Sequence, residues 1–186
     1  RWEYDKGPDR LLRLVRLLLE RQCVFSLSVL GEQFRQHPPA FELIKQAFAG
    51  QSLATLKHCA YQQDVCSYRK ILAAADVVLS TALHDFQGLS VLEAVAAGCI
   101  PLLPDRLCYG EWFATQYLYR SFVDDAGREA QELAARVGTL VEAKKTGNLP
   151  VVPALDWLAW PALKPAYHRL LPEVVAGAGS LYDRRP

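Results

Sequence analysis

The chain has 186 residues, 51% hydrophobic and 22% charged, and its 21 Lys and Arg against 20 Asp and Glu leave a net charge of +1. That length fits one domain or one large lobe. The apolar share excludes disorder as the main state, and the bulk charge does not indicate a nucleic-acid binder. The apolar runs are short, Leu17-Leu18-Leu19 ending at Glu20, and none approaches the ~18 residues of a membrane helix.

Pro8 opens a predicted helix to about Gln22, with Leu11, Leu14, Val15, Leu18 and Leu19 at helical spacing. Cys23 to Leu30 is rich in strand formers and stops at Gly31. A second helix follows Pro38-Pro39, carrying Phe41, Ile44 and Phe48 to a stop at Gly50. Leu56–Ala60 reads as a strand, Val65–Ala75 as a helix and Asp76–Ser80 as a strand. Ser90–Ala97 reads as a helix ended by Gly98. Cys99–Pro104 is a short apolar strand in which Pro101, having no N–H, belongs at a strand end or bulge. Trp112 and Phe113 read as core.

Strand and helix alternate, and the strands look apolar throughout, which predicts an α/β fold with a doubly wound, Rossmann-like parallel sheet flanked by helices. The last third differs. Asp124 to about Lys145 reads as one charged helix buried along Leu133, Val137, Leu140 and Val141. Leu155 to about Val175 reads as a further helix or helix pair with Trp157, Trp160 and Tyr167 as core, followed by a loose polar tail from Ala176. The expected organisation is a nucleotide-binding core over 1–123, with C-terminal helices over 124–186 packing on the same domain. The absence of methionine and the opening Arg-Trp-Glu-Tyr-Asp-Lys suggest a piece of a longer protein without a signal peptide. Five cysteines and four histidines show no ligand spacing, so no metal site is expected. Unpaired thiols fit a reduced, cytoplasmic protein.

Ligands of open parallel sheets gather at the carboxyl ends of the strands. After the Asp76–Ser80 strand come Thr81 to Leu89 and then the helix bearing Glu93. Gly88 permits close backbone approach, and free amides at the helix start favour an anion. Ser90-Val91-Leu92-Glu93 is also an S-x-x-E capping box, which accounts for Ser90 and Glu93 without a ligand. The two readings are compatible.

Asp85-x7-Glu93, with Gly88 between and Gly98 behind, resembles the Glu-x7-Glu motif of retaining GT-B glycosyltransferases, with Asp in place of the first Glu. Arg1 and Lys6-Gly7 match the Arg-x4-Lys-Gly that opens the donor-binding domain of that superfamily, and Gly31 follows its strand where a glycine is usual. The strings at 1–6, 31–34, 80–86 and 92–99 resemble the tRNA-queuosine alpha-mannosyltransferase family, a likeness that runs from Arg1 to about Tyr119.

The resemblance implies the C-terminal half of a GT-B fold, binding a nucleotide sugar, GDP-mannose, and needing no metal or other cofactor. In that half Arg1 and Lys6 neutralise the donor diphosphate, and Asp85 faces the donor sugar. Glu93 takes the ribose hydroxyls. Gly88, Leu89 and Ser90 offer backbone amides. Gly31 and Tyr61 lie at strand ends, Tyr61 near the base or as a plain surface aromatic. His84 hydrogen-bonds the sugar or diphosphate, or orients Asp85. A central strand ahead of Arg1 and the half that binds the acceptor, queuosine in tRNA, are implied outside this sequence. The same residues also fit a retaining transferase with another sugar and acceptor, or a non-catalytic nucleotide-binding module. The arginines between Arg10 and Arg21 are read as a solvated helix face before an RNA contact.

Overall fold

The computed structural model describes residues 2–33, 35 and 37–182. They form two compact units, Arg1–Pro153 and Ala154–Pro186. The first unit carries α1 (Pro8–Glu20), β1 (Phe25–Leu30), α2 (Ala40–Ala47), β2 (Ala54–Ala60), α3 (Val65–Ala73) and β3 (Val77–Leu79). It continues through α4 (Leu89–Ala96), β4 (Ile100–Pro104), α5 (Tyr109–Trp112), β5 (Leu118–Tyr119) and α6 (Ala126–Lys145). All strand pairs are parallel, in a two-stranded sheet β1-β2 and a three-stranded sheet β3-β4-β5. This is an α/β arrangement of parallel strands flanked by helices, as a Rossmann-like fold has. Among the described residues β1 and β3 each pair along one edge only.

Helix α1 organises the unit because its apolar positions recur every three to four residues. Leu14 and Leu18 meet Leu133 and Ala134 of α6 together with Leu102 and Tyr119 from β4 and β5. Leu12 meets Ala40 and Ile44 of α2. Trp2 stacks on Phe41 at 4.5 Å between centroids, over Val29 of β1. Burial of each such side chain contributes about 1.5–3 kcal/mol.

The two sheets differ in how far the expected apolar character holds. Every residue of β4 is buried. In β1 and β2, polar Ser26, Ser28, Lys57 and His58 interrupt the apolar positions, and both strands are largely half-buried or exposed. Pro101 is placed differently from the expectation: it lies inside β4, opposite Val78, with no bulge there. Ile100 N–H bonds Asp76 and Ser80 N–H bonds the Leu102 carbonyl, so these positions face β3. Pro101 faces the other side, where pairing with β5 begins only at Leu103. Its missing N–H therefore interrupts no ladder.

In the second unit a turn of 3-10 helix, Asp156–Leu158, precedes α7 (Trp160–Tyr182). Trp160 and Tyr167 face each other at 5.7 Å. Trp157, Trp160 and Tyr167 are exposed rather than core. The helix also runs through 176–182, which the sequence suggested as loose tail. The residues there, Ala-Gly-Ala-Gly-Ser-Leu-Tyr, carry no charge, and their alanines and leucine favour a helix that the two glycines weaken. No helix among the described residues is long and apolar enough to cross a membrane.

Candidate functional site

Two loops distant in sequence are stitched together at the carboxyl end of β3. The turn of 3-10 helix Tyr4–Lys6 ends at Gly7, whose left-handed φ of 64° starts α1. Leu83 and His84 N–H both bond the Asp5 carbonyl, and Thr81 Oγ1 donates to the Lys6 carbonyl at 2.9 Å. A Cβ on Gly7 would stand 2.1 Å from the Thr81 carbonyl oxygen. Only glycine permits both that φ and that approach.

The consequence is the position of Lys6. Its Nζ donates to the His84 carbonyl at 2.9 Å and lies 3.8 Å from Asp85 Oδ2 and 3.4 Å from Asp5 Oδ2. A cation is thus held beside the start of α4. Gly88, with φ 65° and ψ 35°, is the residue that caps α4. Gly88 N–H donates to Asp85 Oδ1 at 3.2 Å, and the N–H groups of Val91 and Leu92 bond the Gly88 carbonyl. Leu89 and Ser90, the first residues of the helix, have no intrahelical acceptor for their N–H groups by geometry. The dipole and these amides make the helix start attractive to an anion.

The capping-box reading does not survive. Ser90 is inside α4, and no side chain caps the helix. Glycine in the left-handed region has taken the cap position two residues earlier. Glu93 instead accepts a 2.9 Å hydrogen bond from Tyr68 Oη of α3. Burial, reinforced by that carboxylate, pushes the Tyr68 hydroxyl up to about 12. Tyr68 therefore stays protonated and donates at neutral pH, and Glu93 remains exposed.

Lys6, Asp85, Gly88, Leu89 and Ser90 come together around one helix start, with His84 beside them. The exposed His84 ring packs edge-on against Phe86, 4.7 Å between centroids. Tyr61 follows β2 and is exposed, and the half-buried Gly31 follows β1. Those two belong to the ends of the other sheet rather than to the Asp85 group. Arg1 lies outside the described residues. The described residues contain no cluster of His, Cys, Asp or Glu able to hold a metal.

Several residues beneath the loop were not singled out from the sequence. Tyr109, buried, donates to Asp85 Oδ2 at 3.2 Å and lies 2.9 Å from Ser80 Oγ. Arg106 donates through Nε to the Ala82 carbonyl at 2.8 Å and through Nη2 to the Thr81 carbonyl at 3.2 Å. The same guanidinium grips Glu129 of α6 with both terminal nitrogens, at 2.6 and 3.0 Å. Arg10 Nε meets Glu129 Oε1 at 2.9 Å, and Phe122 N–H completes the carboxylate's partners at 2.8 Å. Glu129 is 1% exposed, and this buried charge is tolerable because two guanidiniums and a backbone N–H surround it. Arg106 and Tyr109 follow β4, so the rule that drew attention to the loop after β3 marks them as well.

The chain is 36% identical over 121 residues to the tRNA-queuosine alpha-mannosyltransferase of Drosophila melanogaster, covering 65% of the chain and 31% of that protein. It is 23% identical over 162 residues to the GDP-mannose:cellobiosyl-diphosphopolyprenol alpha-mannosyltransferase of Xanthomonas oryzae pv. oryzae (strain PXO99A), covering 84% of the chain and 42% of that protein. The protein of the same description from Xanthomonas campestris is 24% identical over 165 residues, with the same coverages. No protein-family model matches the chain. The chain thus spans 31% to 42% of the length of these relatives. It is homologous to glycosyltransferases of the mannosyltransferase kind.

Proposed function

We propose that this chain is the donor-binding part of a retaining GT-B glycosyltransferase that takes mannose from GDP-mannose, with queuosine in tRNA as the acceptor. The observation that carries the reading is Lys6 held over the start of α4 by a contact spanning 78 residues of sequence. Breaking the bond between the sugar's anomeric carbon and the diphosphate leaves negative charge on the diphosphate. A cation and a helix start aimed at one point stabilise charge that develops there. Lys6 now shares itself between the Asp5 and Asp85 carboxylates, and a diphosphate would compete for it. Arg1 would add a second cation. Asp85 would meet the sugar and Glu93 the ribose hydroxyls, with Tyr68 already orienting its carboxylate. His84, Gly31 and Tyr61 complete the proposed donor site, the latter two toward the base.

GDP-mannose is supported by the Xanthomonas relatives, which are GDP-mannose-dependent mannosyltransferases by name, and the queuosine acceptor by the more similar Drosophila protein. A polyprenyl-diphosphate-linked sugar is the second reading of the acceptor, favoured by the longer reach of the Xanthomonas matches, 84% of the chain against 65%. Titration calorimetry of the chain with GDP-mannose, GDP and a UDP-sugar tests the donor. The reading expects GDP-mannose to bind and Lys6→Ala to weaken it. Tighter binding of the UDP-sugar would change the donor, and no binding of any nucleotide sugar would overturn the proposal. Transfer to queuosine-containing tRNA, against transfer to a polyprenol-linked acceptor, then separates the two acceptors.

A further inference from the structure

We propose that Tyr109 is a positioning residue of this site: its hydroxyl fixes the Asp85 carboxylate in the orientation it presents to the donor sugar. The inference rests on the reading of the site given above. It begins with the number of directions from which Asp85 is held. Oδ1 accepts from Gly88 N–H at 3.2 Å, and Oδ2 accepts from Tyr109 Oη at 3.2 Å. Lys6 is 3.8 Å away and is the group that a diphosphate would draw off. Once it leaves, Tyr109 is the side chain that still constrains Oδ2.

Tyr109 is itself fixed. It is 1% exposed, and its ring lies directly under the turn, with Cε1 2.9 Å from where a Cβ on Gly88 would stand. With its own proton on Asp85, its oxygen accepts from Ser80 Oγ at 2.9 Å. Ser80 Oγ accepts from Ala82 N–H at 3.2 Å, and the Ser80 carbonyl accepts from Tyr119 Oη at 2.9 Å. The path runs from Tyr119 of β5 through Ser80, just past β3, to Tyr109 of α5 and Asp85. Burial pushes the hydroxyls of Tyr109 and Tyr119 well above the ordinary tyrosine range, so both remain donors.

A tyrosine serving only as core would need its ring there and could satisfy its hydroxyl on Ser80 alone. The two roles separate in calorimetry of the chain with GDP and with GDP-mannose, measured for wild type, Tyr109→Phe, Asp85→Asn and the double variant. Melting temperatures recorded beside them show that each is folded. The inference expects Tyr109→Phe to weaken GDP-mannose about three- to tenfold and leave GDP unchanged, because the lost hydrogen bond reaches the ligand only through Asp85. It also expects Tyr109→Phe to add little to Asp85→Asn, as residues acting through one another do. Equal weakening of GDP and GDP-mannose, or additive effects, would reduce Tyr109 to core packing. Asp85→Asn alone is a second check: if it does not weaken GDP-mannose selectively, there is nothing for Tyr109 to position. Wild-type chain that binds neither ligand would instead overturn the proposed function.

Discussion

The two sheets end in opposite ways. The carboxyl end of β3 and β4 is locked from below by buried polar groups, with Glu129 between Arg10 and Arg106 and with Tyr109 and Tyr119 around Ser80. The carboxyl end of β2 opens to solvent at an exposed Tyr61. After it the Asp64 carboxylate caps α3 by accepting from Ser67 N–H at 2.7 Å. Buried polar groups therefore restrain the end where bond breaking is proposed. They achieve this because an unmet one is costly, so each has essentially one arrangement.

The sharpest way to break that contrast is to remove one charge from each half. Glu129→Ala should cost about 3–5 kcal/mol by stranding two buried guanidiniums. Glu42→Ala, which removes the 2.8 Å ion pair with the half-buried Lys45 on α2 and leaves Lys45 over the Trp2 ring, should cost less than about 1 kcal/mol. Urea denaturation of both variants compares them, and similar losses would mean that the buried group does not organise the site.

Glycines give a second, smaller contrast. Gly7 and Gly50 have similar left-handed φ, 64° and 74°, but a Cβ on Gly7 meets the Thr81 carbonyl and one on Gly50 meets nothing within 4 Å. Gly50→Ala should cost only the backbone strain, about 1–2 kcal/mol. Gly7→Ala should add about 1–3 kcal/mol of overpacking and displace Lys6. Equal midpoints in thermal melts would show that the two loops are not closely stitched.

The smallest effect is on the alkaline limb of stability. Tyr68 rises from an ordinary 10.0 to about 12 in the folded chain, with Tyr109 and Tyr119 also raised. A raised folded value means that the unfolded chain loses its protons first. The contribution of Tyr68 is full below about pH 10 and is lost as pH rises toward 12. Melting temperature should fall across that window, and Tyr68→Phe should make the fall shallower. An unchanged slope would show that Tyr68 is solvated rather than held on Glu93.

Much of this was legible in the sequence. Helical spacing in α1, the glycine stops and the alternation of elements gave the parallel α/β class, because local periodicity is a local property. The site loop was legible too, since ligands of parallel sheets lie at strand ends. Three things were not. The S-x-x-E spacing at Ser90 pointed to a cap, but Gly88 reaches the left-handed region at no steric cost and starts the helix two residues earlier. The fitness of Pro101 depends on which neighbour each β4 residue faces, which no single strand reveals. The partners of Arg106, Tyr109 and Tyr68 lie 23, 24 and 25 residues away in sequence, so their roles emerge only once the chain has folded.

The central claim is that the residues around the start of α4 bind a nucleotide sugar, and Glu93→Gln in the chain tests it most directly. Glutamine still accepts from Tyr68, and no capping bond is lost, so melting temperature should not move. The charge that would meet the ribose hydroxyls disappears. Hydrogen bonds to a charged group are worth about 1.5–3 kcal/mol, so GDP-mannose affinity measured by calorimetry should fall about tenfold or more. Unchanged affinity with unchanged melting temperature would contradict the account and leave Glu93 as nothing more than a surface partner of Tyr68.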